Sequence, residues 1–163
     1  MGRDAAFWKT KRLDQMTPQE WEALCDGCGW CCMNKLKDPS TGRVYYTCVS
    51  CHLLDLDSCR CRSYPDRKQI VPGCLVMTPK RAASPWLPPT CAYRLLAEGQ
   101  PLAWWHPLVS GMRETVHEAG ASVLGHALSE ELVHPDDLQY FVFADWLGFP
   151  PTLQKLPPKS AMK

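Results

Sequence analysis

LCDGCGWCC, residues 24–32, puts four cysteines within eight residues. Thiols this close can pair as disulfides, bind a metal, hold an iron–sulfur cluster or react with a substrate. The choice governs both fold and function. The chain carries ten cysteines among 163 residues, at positions 25, 28, 31, 32, 48, 51, 59, 61, 74 and 91. The first residues, MGRDAAFWKTKRLDQM, lack the apolar core of a signal peptide. The expected compartment is therefore the reducing cytoplasm, where metal or redox chemistry suits clustered cysteines better than a disulfide scaffold.

The remaining composition is unremarkable. Hydrophobic residues make up 45% of the chain, enough for a core without obligatory staples. The length suits one domain, expected over residues 1–149, and the proline-rich end at 150–163 is expected to be disordered. Eighteen basic and 17 acidic side chains give a net charge of +1, so neither a nucleic acid nor an anionic membrane is expected as partner. The chain has no apolar run long enough to span a bilayer. A protein partner is not specified by the sequence.

Local signals set the elements around the cysteines. MTPQEWEAL predicts a helix, with Thr17 as N-cap, Pro18 in the first turn and Glu20 completing a capping box. Gly27 and Gly29 break it. Asp38 to Gly42 reads as a turn and Val44 to Thr47 as a strand. From Cys51 to Met77 the chain should be irregular. LPPTCAYRLLAEG predicts a helix capped by Thr90 and ended by Gly99, with Cys91 in its first turn. Residues 111–132 are ambiguous between helix and extended chain. HPDDLQYFVFADWLG reads as a helix whose Leu138, Phe141, Val142 and Trp146 face inward. The expected fold is α+β and mainly helical, with a small irregular cysteine-rich metal-binding region over 25–91 packed against helices.

The spacing supports two readings. Cys25, Cys28, Cys48 and Cys51 form two C-x-x-C pairs, the pattern of a tetrahedral zinc ribbon. Alternatively, Cys25, Cys28 and Cys31 form C-x-x-C-x-x-C, which can wrap an iron–sulfur cubane whose fourth ligand comes from elsewhere. Cys32, Cys59, Cys61, Cys74 and Cys91 then remain for that ligand or for a second site. Ten thiols exceed one four-coordinate site.

CDGCGWCC carries the CxxCxxCC signature of a bacterial cysteine-cluster family of suspected zinc- or iron-chelating role. The chain most resembles its YcgN-like branch, through FWKTKRLDQMTPQEWEALCDGCGWCC, CRCRSY, PGCLVMTP and WLPPTCAYRLLAEGQPLAWWHPLVSG, to about residue 135. The resemblance implies a metal ligand set of Cys25, Cys28, Cys31, Cys32, Cys51, Cys59, Cys61, Cys74 and Cys91, and no established reaction. It also implies that Cys48 stands where the family often has another residue, which weakens the ribbon. Similar cysteine clusters occur in flagellin lysine methylases, so iron–sulfur chemistry stays open beside zinc.

Among other residues, His52 adjoins Cys51 and is the leading non-cysteine ligand candidate. His106, beside Trp104 and Trp105, suits packing better than a pocket. His117, His126 and His134 sit in no motif. Arg60, Arg62, Arg67 and Lys68 form a basic stretch suited to offsetting thiolate charge. There is no G-x-S-x-G, H-E-x-x-H or phosphate-binding glycine loop. The expectation is a metal-binding protein. The rivals are an iron–sulfur or iron-dependent enzyme near Trp104, Trp105 and His106, or a thiol redox switch on Cys31 and Cys32.

Overall fold

The computed structural model describes residues 6–143. In chain order the elements are α1 (Phe7–Thr10), α2 (Pro18–Ala23), β1 (Met33–Lys37), β2 (Val44–Ser50), β3 (Leu54–Asp55) and β4 (Arg60–Cys61). Then come α3 (Arg67–Ile70), α4 (Ala92–Ala97), α5 (Pro107–Ser110), α6 (Thr115–Glu118) and β5 (Leu128–Ser129). Short 3-10 turns lie between them, including Trp30–Cys32 and Pro135–Phe141.

The fold is α+β but not mainly helical, which corrects the sequence expectation. No α-helix among the described residues exceeds six residues. The start signals are real. Thr17 Oγ1 accepts from Glu20 N at 3.2 Å, and the Glu20 carboxylate accepts from Thr17 N at 2.9 Å. Stop signals follow too soon for long helices: α2 runs into the glycine-interrupted cysteine segment, and α4 ends before Gly99 at φ +72°. Cys91 is the N-cap of α4 rather than a first-turn residue. The expected helix from residue 134 is instead a 3-10 turn at Pro135–Phe141, with Leu138, Phe141 and Val142 half-buried. Its Trp146 and the chain end at 150–163 lie outside the described residues.

Two small sheets organise the middle of the chain. β1 and β2 form an antiparallel hairpin, pairing Lys35 with Tyr46 and Met33 with Ser50 across an irregularity. The connecting turn is held by Asp38, whose Oδ1 accepts from Ser40 N at 2.8 Å. β5 adds in parallel, pairing Val49 with Leu128. β3 and β4 form a second hairpin in which Leu54 pairs with Cys61. Its turn places Cys59 at φ +58°, a left-handed conformation uncommon outside glycine.

The core falls into three packing groups, and residues 24–32 touch all three. Leu24 lies in the group built on Phe7, Ala92 and Tyr93. Trp30 centres the group with Met33, Tyr46, Leu54 and Val123. Cys28 borders that group and the one around Trp105, Val116 and Ala121. Hydrogen bonds from the C-terminal half pin the segment. Val123 N donates to Cys28 O at 2.9 Å, and Trp30 Nε1 donates to Ala121 O at 2.7 Å. His106 Nε2 bonds Leu24 O at 2.8 Å while its Nδ1 accepts from Leu108 N at 3.0 Å.

Gly29 sits inside this clamp at φ +79°, and a Cβ there would lie 2.7 Å from Val123 Cγ2. Gly29→Ala therefore combines left-handed strain of about 1–2 kcal/mol with overpacking of about 1–3 kcal/mol. Urea unfolding should show a loss of about 2 kcal/mol or more. Gly42→Ala, at φ +74° with nothing within 4 Å of the added carbon, should cost the strain component alone.

Candidate metal centre

Eight of the ten cysteines line one cavity of about 540 Å³: Cys25, Cys28, Cys31, Cys32, Cys51, Cys61, Cys74 and Cys91. They come from separate pieces of chain. Cys25 follows α2, and Cys28, Cys31 and Cys32 lie on the loop and 3-10 turn leading to β1. Cys51 follows β2, Cys61 is in β4, and Cys91 caps α4. Cys74 sits in a turn after α3, its N–H bonded to Val71 O at 2.9 Å. All ten are free thiols.

Two cysteines stand apart. Cys48 is half-buried within β2 and does not line the cavity. Cys59, included in the ligand set from resemblance, is buried in the core beside Trp30 and Val123 and also lies off the cavity wall.

Burial and crowding dominate the thiol chemistry. Burial pushes Cys25 and Cys91 up to about 12, with Cys31 and Asp26 adding repulsion to each. Cys28 is raised well above its ordinary value for the same reasons, burial first. Cys25 and Cys31 keep accessible surface because they face the cavity, yet protein surrounds them on the remaining sides. Cys31 is the exception: a hydrogen bond from Cys32 lowers it to about 7, with help from the Lys35 ammonium. Cys32 is shifted the opposite way by the same bond and by burial. One thiol of the group is thus poised as a thiolate near neutrality, and most of its neighbours are held protonated until a cation arrives.

Several polar residues complete the wall, and most carry no motif in the sequence. Asp26 is buried and accepts from Cys28 N at 3.0 Å, which folds the C-x-x-C loop back on itself. The Lys35 ammonium donates to Met33 O at 2.8 Å and contacts Cys31 O at 3.4 Å. Arg67 stacks on Tyr64, 3.8 Å from the ring centre, and both line the cavity. Of the basic stretch, Arg67 alone is on the wall; Arg60, Arg62 and Lys68 are exposed outside it.

His52 does not line the cavity, but its Nδ1 is 2.7 Å from Glu130 Oε1, and Glu130 does. Asn34 and His52 N also bond that carboxylate. Cys51, His52 and Glu130 each offer a donor atom within 4.8 Å of the other two. His106 is a buried structural pin, with burial depressing its basicity. His117 bonds Ser122, and His134 caps the 3-10 turn after it. Trp104, Trp105 and His106 are all off the cavity wall.

The family model described as "Putative zinc- or iron-chelating domain" (CxxCxxCC) matches residues 24–92. A UPF0260 protein of Gluconacetobacter diazotrophicus is 58% identical over 146 residues, covering 89% of each chain. One of Allorhizobium ampelinum is 55% identical over 141 residues, covering 86% of this chain and 88% of its own. One of Rhodopseudomonas palustris is 50% identical over 155 residues, covering 94% and 91%. The chain belongs to the UPF0260 family. No solved structure matches it. The chelating-domain match spans all ten cysteines of this UPF0260 protein and stops short of the residues that clamp them, His106, Ala121 and Val123. Among the described residues no helix is long and apolar enough to cross a membrane.

The donor set fits a thiophilic metal, since eight soft sulfurs suit zinc or iron and exclude magnesium or calcium as natural guests. Trp105 adds to the fit. Its indole N–H is buried without a hydrogen-bond partner, in the packing group that Cys28 borders. A thiolate or sulfide is the kind of acceptor that satisfies such a donor.

The raised thiols have a consequence for the metal-free protein. Their ordinary value is 9.0 and Cys25 and Cys91 reach about 12. Above the ordinary value the unfolded chain loses protons that the folded chain keeps, so stability falls as pH rises from about 9 toward 12. The urea midpoint of metal-free protein should drop between about pH 8 and pH 10.5. Metal-loaded protein, whose sulfurs are held as thiolates, should not follow that fall and should weaken toward acid instead.

Proposed function

We propose that this UPF0260 protein is an iron–sulfur protein whose metal is held by the eight cavity thiols. The observation that carries this reading is the spread of the sulfurs. A mononuclear zinc site with Zn–S bonds near 2.3 Å needs thiolates about 3.8 Å apart. Among the described residues, three donor atoms within 4.8 Å of one another occur as Cys51, His52 and Glu130, and in no group of three thiols. A cluster holds its thiolates wider apart, because each binds a different iron. The cavity is thus rich in sulfur and too open for a bare ion on thiols alone.

When bound, such a cluster supplies one-electron chemistry or a Lewis-acidic iron. The chain's own contribution is to bind it, exclude bulk water with Leu24, Leu87 and Tyr93, and offset its negative charge with Lys35 and Arg67. Cys31, the readily ionised thiol, is the sulfur that first accepts metal. The enzyme reading centred on Trp104, Trp105 and His106 gains no support from their position, since none of the three faces the cavity.

Anaerobically purified protein should be brown and contain iron together with acid-labile sulfide. Colourless protein that carries zinc and remains so after iron and sulfide are supplied would overturn the reading. Cys51→Ser should lose half or more of the iron. Cys48→Ser should keep the wild-type content, because its thiol lies outside the cavity. Equal losses in the two variants would restore the ribbon of paired C-x-x-C motifs.

A further inference from the structure

We infer that the cavity holds two metal centres side by side, one on Cys25, Cys28, Cys31 and Cys91, the other on Cys32, Cys51, Cys61 and Cys74. The inference rests on the metal–thiolate reading above but not on the identity of the metal. Thiolate centres, whether zinc or cubane, take four protein sulfurs each. Eight sulfurs around one cavity therefore make two complete sets.

The backbone assigns the members. The first set hangs on α2 and α4. Cys25 follows α2 and Cys91 caps α4. The two helices are locked by Tyr93 Oη, which donates to Trp21 O at 2.7 Å, and by the Trp21 and Tyr93 rings, 4.7 Å apart. Cys28 belongs with them through the Asp26 turn.

The second set hangs on the two hairpins. Cys51 N donates to Cys32 O at 2.8 Å, and Leu54 N donates to Cys51 O at 3.0 Å. Leu54 pairs with Cys61, and Arg62 N closes the end of that hairpin on Leu53 O at 2.7 Å. Cys32, Cys51 and Cys61 are thus linked by consecutive backbone bonds that involve no member of the first set.

Electrostatic neighbours divide the same way. Cys25, Cys28 and Cys91 each feel Cys31 and Asp26, whereas Cys51 feels Cys61, Cys74 and Glu130. This places Cys74 with the second set.

Cys31 and Cys32 are the junction. They are consecutive in a 3-10 turn, where neighbouring side chains diverge by about 120°. One chain position thus serves each centre, and a doubled CC becomes intelligible. Lys35 stands at this seam, with its ammonium bonded to Met33 O and Cys31 O and its charge felt by both Cys31 and Cys32. The polar surroundings differ: Asp26 accompanies the first centre, and Glu130 with His52 the second.

The test is metal stoichiometry on the full chain reconstituted anaerobically with ferrous iron and sulfide. Native mass spectrometry of the wild type should show two successive, equal additions of metal. A single addition at saturation would overturn the inference. Cys28→Ser and Cys91→Ser should each remove about half of the metal, as should Cys61→Ser and Cys74→Ser. Two substitutions within one set should remove no more than one, and one from each set should remove nearly all. A variant that folds by circular dichroism yet loses all the metal, or none, counts against the partition. If the protein takes zinc instead, the iron–sulfur reading fails while the same halving, read in zinc, still tests the two centres.

Discussion

Leu24 and Trp30 are both fully buried, and the cysteine loop hangs between them. This anchoring is what the rest of the structure depends on. The loop has no ladder of its own, so its carbonyls are answered from outside by His106, Val123 and, through Trp30, Ala121. Truncating a buried tryptophan typically costs about 3–5 kcal/mol, a large fraction of a small protein's stability. The region after residue 100 therefore contributes no cysteine but fixes where four of them point. Division between a ligand-bearing stretch and a clamping stretch explains why the chelating-domain match at 24–92 is chemically complete yet structurally partial.

A second constraint is charge. Thiolates gathered around one cavity repel, and burial alone already drives most of these thiols toward their neutral form. The folded apo chain is consistent with protonated sulfurs, and the loaded chain with thiolates neutralised by metal. Each proton released on binding is part of the binding equilibrium, so metal affinity and folding are linked through the same groups. Lys35 and Arg67 moderate the charge from opposite pieces of chain, one on β1 and one at the start of α3.

Much of this was legible in the sequence where a local rule applies. The Thr17 capping box, the β2 strand and the turn at Asp38 are each determined by neighbours a few residues away. The paired C-x-x-C ribbon misleads for a specific reason. β2 runs on to Ser50, and residues three apart on a strand face opposite sides. Cys48 and the adjoining Cys51 are therefore not a chelating pair, although their spacing imitates one. Cys59 and Cys61 are likewise separated by local geometry: the left-handed turn at Cys59 sends its side chain into the core while Cys61 reaches the cavity. Asp26 and Glu130 carry no signal in the sequence, because their roles arise from convergence across the fold. His52 was visible beside Cys51, but its partner, Glu130, lies 78 residues away.

The expectation of a mainly helical fold fails for the same reason that the site exists. A helix presents ligands at intervals of three or four residues, and a strand at intervals of two. Bringing eight sulfurs from six stretches of chain to one cavity fits neither period. Short elements joined by tight turns solve the problem, because each element needs to deliver one or two thiols and then leave. The cost is backbone polar groups without regular partners, and those are met by cross-chain bonds such as Cys51 N to Cys32 O and Arg62 N to Leu53 O. These bonds tie one cysteine-bearing segment to another. The irregularity that defeats helix prediction is therefore also the framework that sets the spacing between sulfurs, and through it the kind of metal centre the protein can hold.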